Sequence, residues 1–402
     1  MTVVTQILDR MRGVAKPQRK FLLTLFVTML VTRTRINFVN LSRHSSLHEK
    51  TYRRHFRQPF DFASFLQSSI ARGIPAENTK LFAQDASFSS KSGKHTYGLD
   101  RFWNGCAARA ERGLEVSLIS IVDVERNQAF ALSAEQTAPL PEIKKPEKTH
   151  TRIDFYLEHL KRTAPYFPRS VRYGVFDGFY AKLKFVAGVC ALGYQVVSKL
   201  RSDADLLYLY DGSQKKRGRR RQFDDKVDFQ DLSRWVQIAT DSPQLMLYTV
   251  VVWSVSLKRR IRAVVVVNRK EPEKPRYVVL FSTDTSLPAP DIFRFYKARF
   301  QIEFLFRDAK QFAGFSDCQA RDQAALHFHF NASVTVVNVA RLIAQEEQKT
   351  DEQLVFSMSS IKQRFFNEHL LNLIISKLAL DQTAVKNHPQ FEYLRSYGAI
   401  AA

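Results

Sequence analysis

Cysteine is scarce in this chain, acid is outnumbered, and no stretch stays apolar for long. The three cysteines, Cys106, Cys190 and Cys318, stand far apart and make no CxxC or Cys/His spacing. That argues against a zinc site and against a disulfide framework. Reduced, mostly buried thiols are expected. The longest early apolar run, Phe21 to Val31, is interrupted by Thr24 and Thr28 and is too short to span a bilayer, so it reads as a core helix and no membrane partner is expected. No charged segment followed by a cleavable apolar one opens the sequence, so a cytoplasmic protein is expected. Lysine and arginine outnumber aspartate and glutamate by 61 to 39, a formal charge of +22. Such an excess points to a polyanion, with nucleic acid ahead of a membrane surface.

What is present is an ordinary apolar fraction, 45%, and many aromatics over 402 residues. Such a chain buries a sizeable core and has room for two or three domains. The first seventy-odd residues read as helical and basic. Phe21-Leu-Leu-Thr-Leu-Phe26 and Arg33 to Leu41 show no strand-like alternation. Ser46 lies three residues before Glu49, a capping-box spacing that opens a segment rich in Lys50, Arg53, Arg54 and Arg57. A helix, a polar turn and a basic helix suit a helix-turn-helix reader of DNA, and they suit a small helical bundle with a solvated basic face about equally.

From Lys80 the period changes. Lys80 to Ala86, Glu115 to Val124 and Ala129 to Ala134 read as a strand meander, the first ending at Asp85. A Pro- and Lys-rich connector, Pro139 to Lys148, leads to a helix from Ile153 to Lys161. Then come the strand Arg172 to Asp177, a helix from Tyr180 to Leu192 and the strand Gln195 to Leu200. A meander followed by strands alternating with helices predicts a mixed α/β sheet. Between Asp203 and Lys274 the basic run Lys215 to Arg221 precedes two β runs, Leu245 to Ser256 and Ile261 to Asn268, which read as an inserted β subdomain. After a last strand, Tyr277 to Thr283, a helix from about Ile292 to Phe312 is expected, and then helices over Ala324 to Gln345 and Ile361 to Leu380. There is no internal repeat and no heptad pattern.

On the helix after Pro290, Tyr296, Arg299, Glu303, Arg307 and Lys310 fall within about 80° of one another on the helical wheel. Phe295, Ala298, Ile302, Leu305, Phe306 and Ala309 fill a neighbouring apolar arc. By itself the polar stripe is a ladder of ion pairs, Arg299 with Glu303 and Glu303 with Arg307, worth a few tenths of a kcal/mol each. Its order is more specific: Tyr296, Arg299, Glu303 and Lys310 resemble the signature of the YREK group of bacterial insertion-sequence transposases. Phe82-Ala-Gln-Asp85-Ala-Ser-Phe88 and Tyr173-Gly-Val-Phe-Asp177-Gly-Phe-Tyr180 resemble the first and second catalytic aspartate motifs of the same DDE group. Many relatives have tryptophan after the motif arginine, whereas Phe300 stands here.

The resemblance implies a ribonuclease H-like α/β core, a mixed sheet with flanking helices, interrupted by a β insertion between Asp177 and Glu303. It implies a DNA transposase that binds element ends and catalyses strand cleavage and strand transfer, with Asp85, Asp177 and Glu303 as catalytic, metal-binding carboxylates. The cofactor implied is two Mg²⁺ ions, with Mn²⁺ as a substitute, since hard cations take oxygen ligands. Tyr296, Arg299 and Lys310 become phosphate clamps, with Arg307 beside them. Arg53, Arg54 and Arg57 are DNA-binding candidates from the basic helix, and Lys91 and Lys94 from the loop after Asp85. That loop lacks the phosphate-loop spacing, and a solvated turn explains it as well. The partners implied are double-stranded DNA, as terminal repeats and target, and a second copy in a synaptic homodimer, a cytoplasmic enzyme associating with the nucleoid when bound.

The expected organisation is a helical DNA-binding region over 1–76, the first part of the core over 77–202 and a β subdomain over 203–275. The second part of the core follows over 276–347, then helices over 348–402 suited to dimerisation. Asp123, Asp284 and Asp308 compete with the trio but lack its flanking motifs. His327 and His329, two apart on a helix, cannot share a face as metal ligands. Trp253 reads as a strand tryptophan or a base wedge, and the run 215–221 as a phosphate-binding or a solvated loop. The rival functions are an inactive, domesticated DNA-binding protein and a structure-specific nuclease of the same fold.

Overall fold

Five helices open the chain: α1 (Thr2–Arg10), α2 (Lys16–Val31), α3 (Phe38–Arg43), α4 (Glu49–His55) and α5 (Phe62–Gly73). The computed structural model describes residues 1–138, 150–240, 242–269, 276–347 and 356–400. The connector Pro139 to Lys148 lies outside them. Helix α4 starts later than the Ser46 spacing predicts. Its N-cap is His48, whose Nδ1 accepts from the Lys50 amide at 3.2 Å, while the Ser45 hydroxyl takes the Leu47 amide and Tyr52.

The sheet begins with β1 (Lys80–Ser90), β2 (Asp100–Asn104), β3 (Arg109–Asp123) and β4 (Gln128–Gln136). β1 runs four residues past the expected end at Ala86, so Asp85 sits mid-strand. Next come α6 (Arg152–Thr163), β5 (Tyr173–Val175), α7 (Leu183–Ala191) and β6 (Gln195–Leu200). β3 pairs antiparallel with both β1 and β4, while β5 joins β1, and β6 joins β5, in parallel. With β2 as an added edge hairpin, β5 is the fourth strand of the ribonuclease H-like mixed sheet that the motifs imply.

The insertion contributes β7 (Leu206–Leu209), β8 (Phe223–Lys226), β9 (Val236–Ile238), β10 (Leu245–Ser254) and β11 (Arg259–Asn268), followed by β12 (Arg276–Ser282). These strands extend the same sheet: β12 pairs antiparallel with β6, and β11, β10 and β7 follow outward. Lys258 takes a positive φ of 49° at the β10–β11 turn.

The chain ends in α8 (Ala289–Ala298), α9 (Gln301–Phe312), α10 (Gln323–Glu347), α11 (Met358–Lys377), α12 (Gln382–Lys386) and α13 (Phe391–Ser396). The single helix expected over 292–312 is two. Across the junction the amides of Arg299, Phe300, Ile302 and Glu303 bond to carbonyls three residues back, which tightens the turn as in a 3₁₀ helix.

Helix α10 is buried at every residue from Phe328 to Ala344, the mark of a helix enclosed on all sides. It is tied to β4 through Asn331 and Asn338, whose side chains accept from the Ala134 and Ala131 amides at 3.1 and 2.8 Å. Asn338 also donates to Ser69 of α5 at 3.0 Å, and Gln345 to the Gly73 carbonyl at 3.1 Å. A Cβ at Gly73 would come within 2.4 Å of the Phe130 ring, so the glycine lets α5 lie against β4. The N-terminal helices and the sheet therefore share one hydrophobic core. No helix among the described residues is long and apolar enough to cross a membrane.

Candidate active site

The two parallel strands bring the first two carboxylates to the same end of the sheet. Phe82 lies opposite Gly174 and Ala83 opposite Val175; β5 ends there and Asp177 follows two residues on, near enough for its charge to act on Asp85. Asp85 accepts from the Ala86 amide at 2.8 Å. Asp177 caps the short turn Gly178–Tyr180 by accepting from the Phe179 amide at 2.8 Å, and its carbonyl accepts from Ser198 Oγ at 2.9 Å.

Glu303 enters from the first turn of α9. Its Oε1 lies 2.8 Å from Arg299 Nη2. Burial first, and then the charge of Asp177, push the Asp85 carboxyl up to about 7; Glu303 adds to this, while the Ala86 amide and Arg299 oppose it. Asp85 thus feels the charge of both other acids. Among the described residues, however, no three His, Cys, Asp or Glu side chains stand at a spacing that holds a metal ion. Glu303 instead pairs with Arg299, and each aspartate accepts from a neighbouring backbone amide. The all-oxygen donor set and the raised Asp85 carboxyl still suit a hard divalent cation, which would relieve the repulsion.

The remaining signature residues surround this centre. The Arg299 guanidinium lies 5.6 Å from the Tyr296 ring and 5.0 Å from the Phe300 ring. Phe300 is half exposed. The Arg299 Nε is buried with no hydrogen-bond partner among the described residues. Lys310 Nζ donates to the Phe88 carbonyl of β1 at 2.8 Å, and burial lowers its pKa. Arg307 does not continue the ladder: it turns to Asp308 at 3.0 Å and lines a cavity of about 180 Å³ with Arg126 and Arg341.

The basic candidates divide. Arg53, Arg57 and Lys91 line a cleft of about 1250 Å³ together with Arg35 and Arg321. Arg54 and Lys94 are exposed and do not line it. Arg57 pairs with Asp322 at 3.2 Å, Arg53 stacks on Phe38 at 5.1 Å, and Lys91 donates to the Cys318 carbonyl. Sequence reasoning missed Arg35 and Arg321, which are isolated arginines brought together by the fold.

The competing carboxylates all have structural partners. Asp123 accepts twice from Asn78 at 2.9 Å and once from the Arg126 amide at 3.1 Å. Asp284 takes the Tyr173 hydroxyl at 2.6 Å, and Asp308 is held by Arg307 and Arg341. His329 is buried against the Gly314 carbonyl at 2.7 Å, while His327 lies beside Asn331. Trp253 is half-buried and packs on Phe223 at 5.2 Å. Of the three free thiols only Cys318 is buried; Cys106 is exposed on the β2–β3 turn, so the expectation of mostly buried thiols is corrected.

No curated protein matches the chain. Residues 148–339 match the family model described as the transposase DDE domain. Asp177 and Glu303 lie inside that stretch, and Asp85 lies upstream of it. Over that stretch, just under half of the chain, the protein is similar to the transposase DDE domain.

Proposed function

We propose that this protein cuts and rejoins DNA at the ends of an insertion element, with Asp85, Asp177 and Glu303 as its catalytic carboxylates and the YREK residues as its phosphate clamp. The observation that carries the reading is that Asp85 on β1 and Asp177, just past the end of the parallel strand β5, lie close enough that burial and the Asp177 charge push the Asp85 carboxyl up to about 7. A half-buried, mutually repelling acid pair facing a helix that offers both a carboxylate and an arginine makes poor structural glue. It makes a good cradle for cations and phosphate.

Two Mg²⁺ ions held by the three carboxylates, with Mn²⁺ as a substitute, would activate the attacking hydroxyl and steady the leaving oxygen. The chain's own groups do the positioning. Arg299 presents a planar fork to a non-bridging phosphate oxygen, and its Nε, without a partner among the described residues, supplies a donor for that oxygen. Releasing Glu303 from Arg299 would deliver both groups at once, the carboxylate to the centre and the guanidinium to the phosphate. Tyr296 limits the swing of Arg299. Lys310, anchored on the Phe88 carbonyl, adds a point charge beside the end of β1.

The DNA partner is double-stranded. Arg53, Arg57 and Lys91 hold its backbone in the large cleft, and Arg54, Lys94 and Arg307 contribute charge around it. The regions 1–76, 77–202, 203–275, 276–347 and 348–402 divide the work between end binding, the two halves of the catalytic core with the β insertion between them, and pairing of two copies. A cytoplasmic, nucleoid-associated enzyme fits this role.

The test is strand cleavage with Mg²⁺ on duplex DNA carrying the element's own terminal repeats, beside branched DNA without them. Nicking at the repeats that leaves a 3′-hydroxyl is expected. Cleavage of the branched DNA alone would favour the structure-specific nuclease, and binding without cleavage the domesticated DNA-binding protein.

A further inference from the structure

The β2–β3 hairpin carries an exposed tryptophan between exposed arginines, and the strand register places them on the sheet face of Asp85. In β1 and β3 Asp85 is opposite Leu118. In β2 and β3 Arg101 is opposite Arg112, and Trp103 opposite Ala110. Opposed residues share a face, and so do alternate residues along one strand. Leu118, Arg112 and Ala110 are alternate positions of β3, so Asp85, Arg112, Arg101 and Trp103 all lie on one face. The opposite face of the hairpin is used differently: Phe102 is buried beneath Arg152, and Glu111 is taken by Arg109 and Asn104.

Three features of this face lack a structural explanation. Trp103 is 63% exposed, whereas Trp235 is buried and Trp253 packs on Phe223. Arg101 and Arg112 are like charges directly opposite each other, an arrangement that destabilises a strand pair. Among the described residues neither Arg112 nor Arg101 has an ion-pair partner, and the Arg101 side chain donates to the Ala110 carbonyl at 2.9 Å. A phosphate between the two guanidiniums would turn the repulsion into a shared site. An amphipathic indole beside it suits a deoxyribose or a base edge.

We propose that Arg101, Trp103 and Arg112 form a second DNA contact, away from the cut point, which grips the duplex after it leaves the catalytic face. The spacing follows from the strand. From Leu118 to Arg112 and on to Ala110 is six to eight residues, roughly 20 to 27 Å. At about 3.4 Å per base step the contact falls about six to eight base pairs from the reacting phosphate. Arg101 and Arg112 take the backbone there, and Trp103 lies against the groove wall. This inference rests on the DNA-cleaving reading for its distance from the cut, and on the hairpin alone for its chemistry.

The experiment is a fluorescence titration without metal, using a mixed-sequence duplex of about 30 base pairs, roughly three helical turns. Wild type, Trp103→Phe and the double variant Arg101→Ala/Arg112→Ala are compared over a range of salt, after cooperative thermal unfolding with midpoints no lower than wild type shows that all three are folded. Binding is expected to quench wild-type emission, and Trp103→Phe to abolish most of that quench. The double variant is expected to bind about tenfold more weakly and to lower the slope of log K against log salt by about 1.8, the value for two phosphates. An unchanged slope in the double variant, or a quench that survives Trp103→Phe, overturns the proposal. Because the measurement involves no cleavage, a chain that fails to cut DNA yet gives the expected quench and slope loses the catalytic reading and keeps this one.

Discussion

Arg299 closes on Glu303 across one tightened turn, Nη2 to Oε1 at 2.8 Å, while its own buried Nε has no hydrogen-bond partner among the described residues. An arginine that holds a carboxylate with one edge and leaves another donor empty in a buried place is poised for a second oxyanion.

Arg299→Lys tests this. Lysine keeps the charge and can still reach Glu303, but it loses the fork. Binding of duplex ends is expected to weaken by roughly ten- to a hundredfold, the value of one or two charge-assisted hydrogen bonds. The thermal midpoint should hardly move. Affinity equal to wild type, measured by gel shift at fixed salt, would return Arg299 to the role of a helix ion pair.

Asp85 carries a cost that depends on pH. Its folded value near 7 lies above the ordinary 3.8, so the fold holds the Asp85 proton more tightly than the unfolded chain does. This contribution is most favourable below about pH 4, declines as pH rises, and levels off above about 7 at a cost on the order of a few kcal/mol. Asp85→Asn should therefore raise the thermal midpoint at about pH 8 and leave it near wild type at about pH 4. Mg²⁺ should stabilise wild type at the higher pH and the variant much less.

Asp123→Asn separates the trio from its nearest competitor. The Asp123 carboxylate is buried and accepts from Asn78 and the Arg126 amide, so the variant is expected to lose about 1–3 kcal/mol of stability. Cleavage per folded molecule should persist. If Asp123→Asn abolished cutting while remaining folded, the first aspartate would have to be reassigned.

His159 supplies an acid limb of the opposite sign. It is buried between Ser117 and Ser133, at 3.0 Å from each, and burial, with Arg162 and His327, pushes its pKa down to about 3. Glu135 at 3.8 Å favours the charged form, but full burial outweighs it. The unfolded chain takes up this proton first, so stability falls as pH drops from about 6.5 towards 3, by about 1.4 kcal/mol per unit. His159→Gln should flatten that limb. The readout is the wild-type minus variant difference in unfolding free energy at each pH, because Asp85 acts in the other direction over part of the same range.

Much of this was legible in the sequence for identifiable reasons. The strand Gln195–Leu200 matches the sequence reading to the residue because a short β-rich run sits between turn signals. Asp177 stood out because an apolar strand ends beside it, and Glu303 because an apolar arc fixes the face of its helix. Other features depend on contacts distant in sequence. The strand β2 is five residues with no apolar alternation, held by pairing with Arg109–Gly113. The turn at Arg299 and Phe300 breaks no propensity rule. Arg35 and Arg321 meet in one cleft only because α10 carries the C-terminal half back against the N-terminal helices. The pairing of Glu303 with Arg299 was visible as a spacing, but its competition with a metal ligand set was not.

The central claim is that Glu303 acts with Asp85 and Asp177 on a DNA phosphate. Its most direct test is the appearance of a 3′-hydroxyl on end-labelled terminal-repeat duplex in Mg²⁺, with wild type and Glu303→Gln at equal DNA occupancy. Nicking by wild type and a loss of at least about a hundredfold in Glu303→Gln are expected, since one charge is removed from a three-carboxylate set. Equal rates for the two proteins would contradict it.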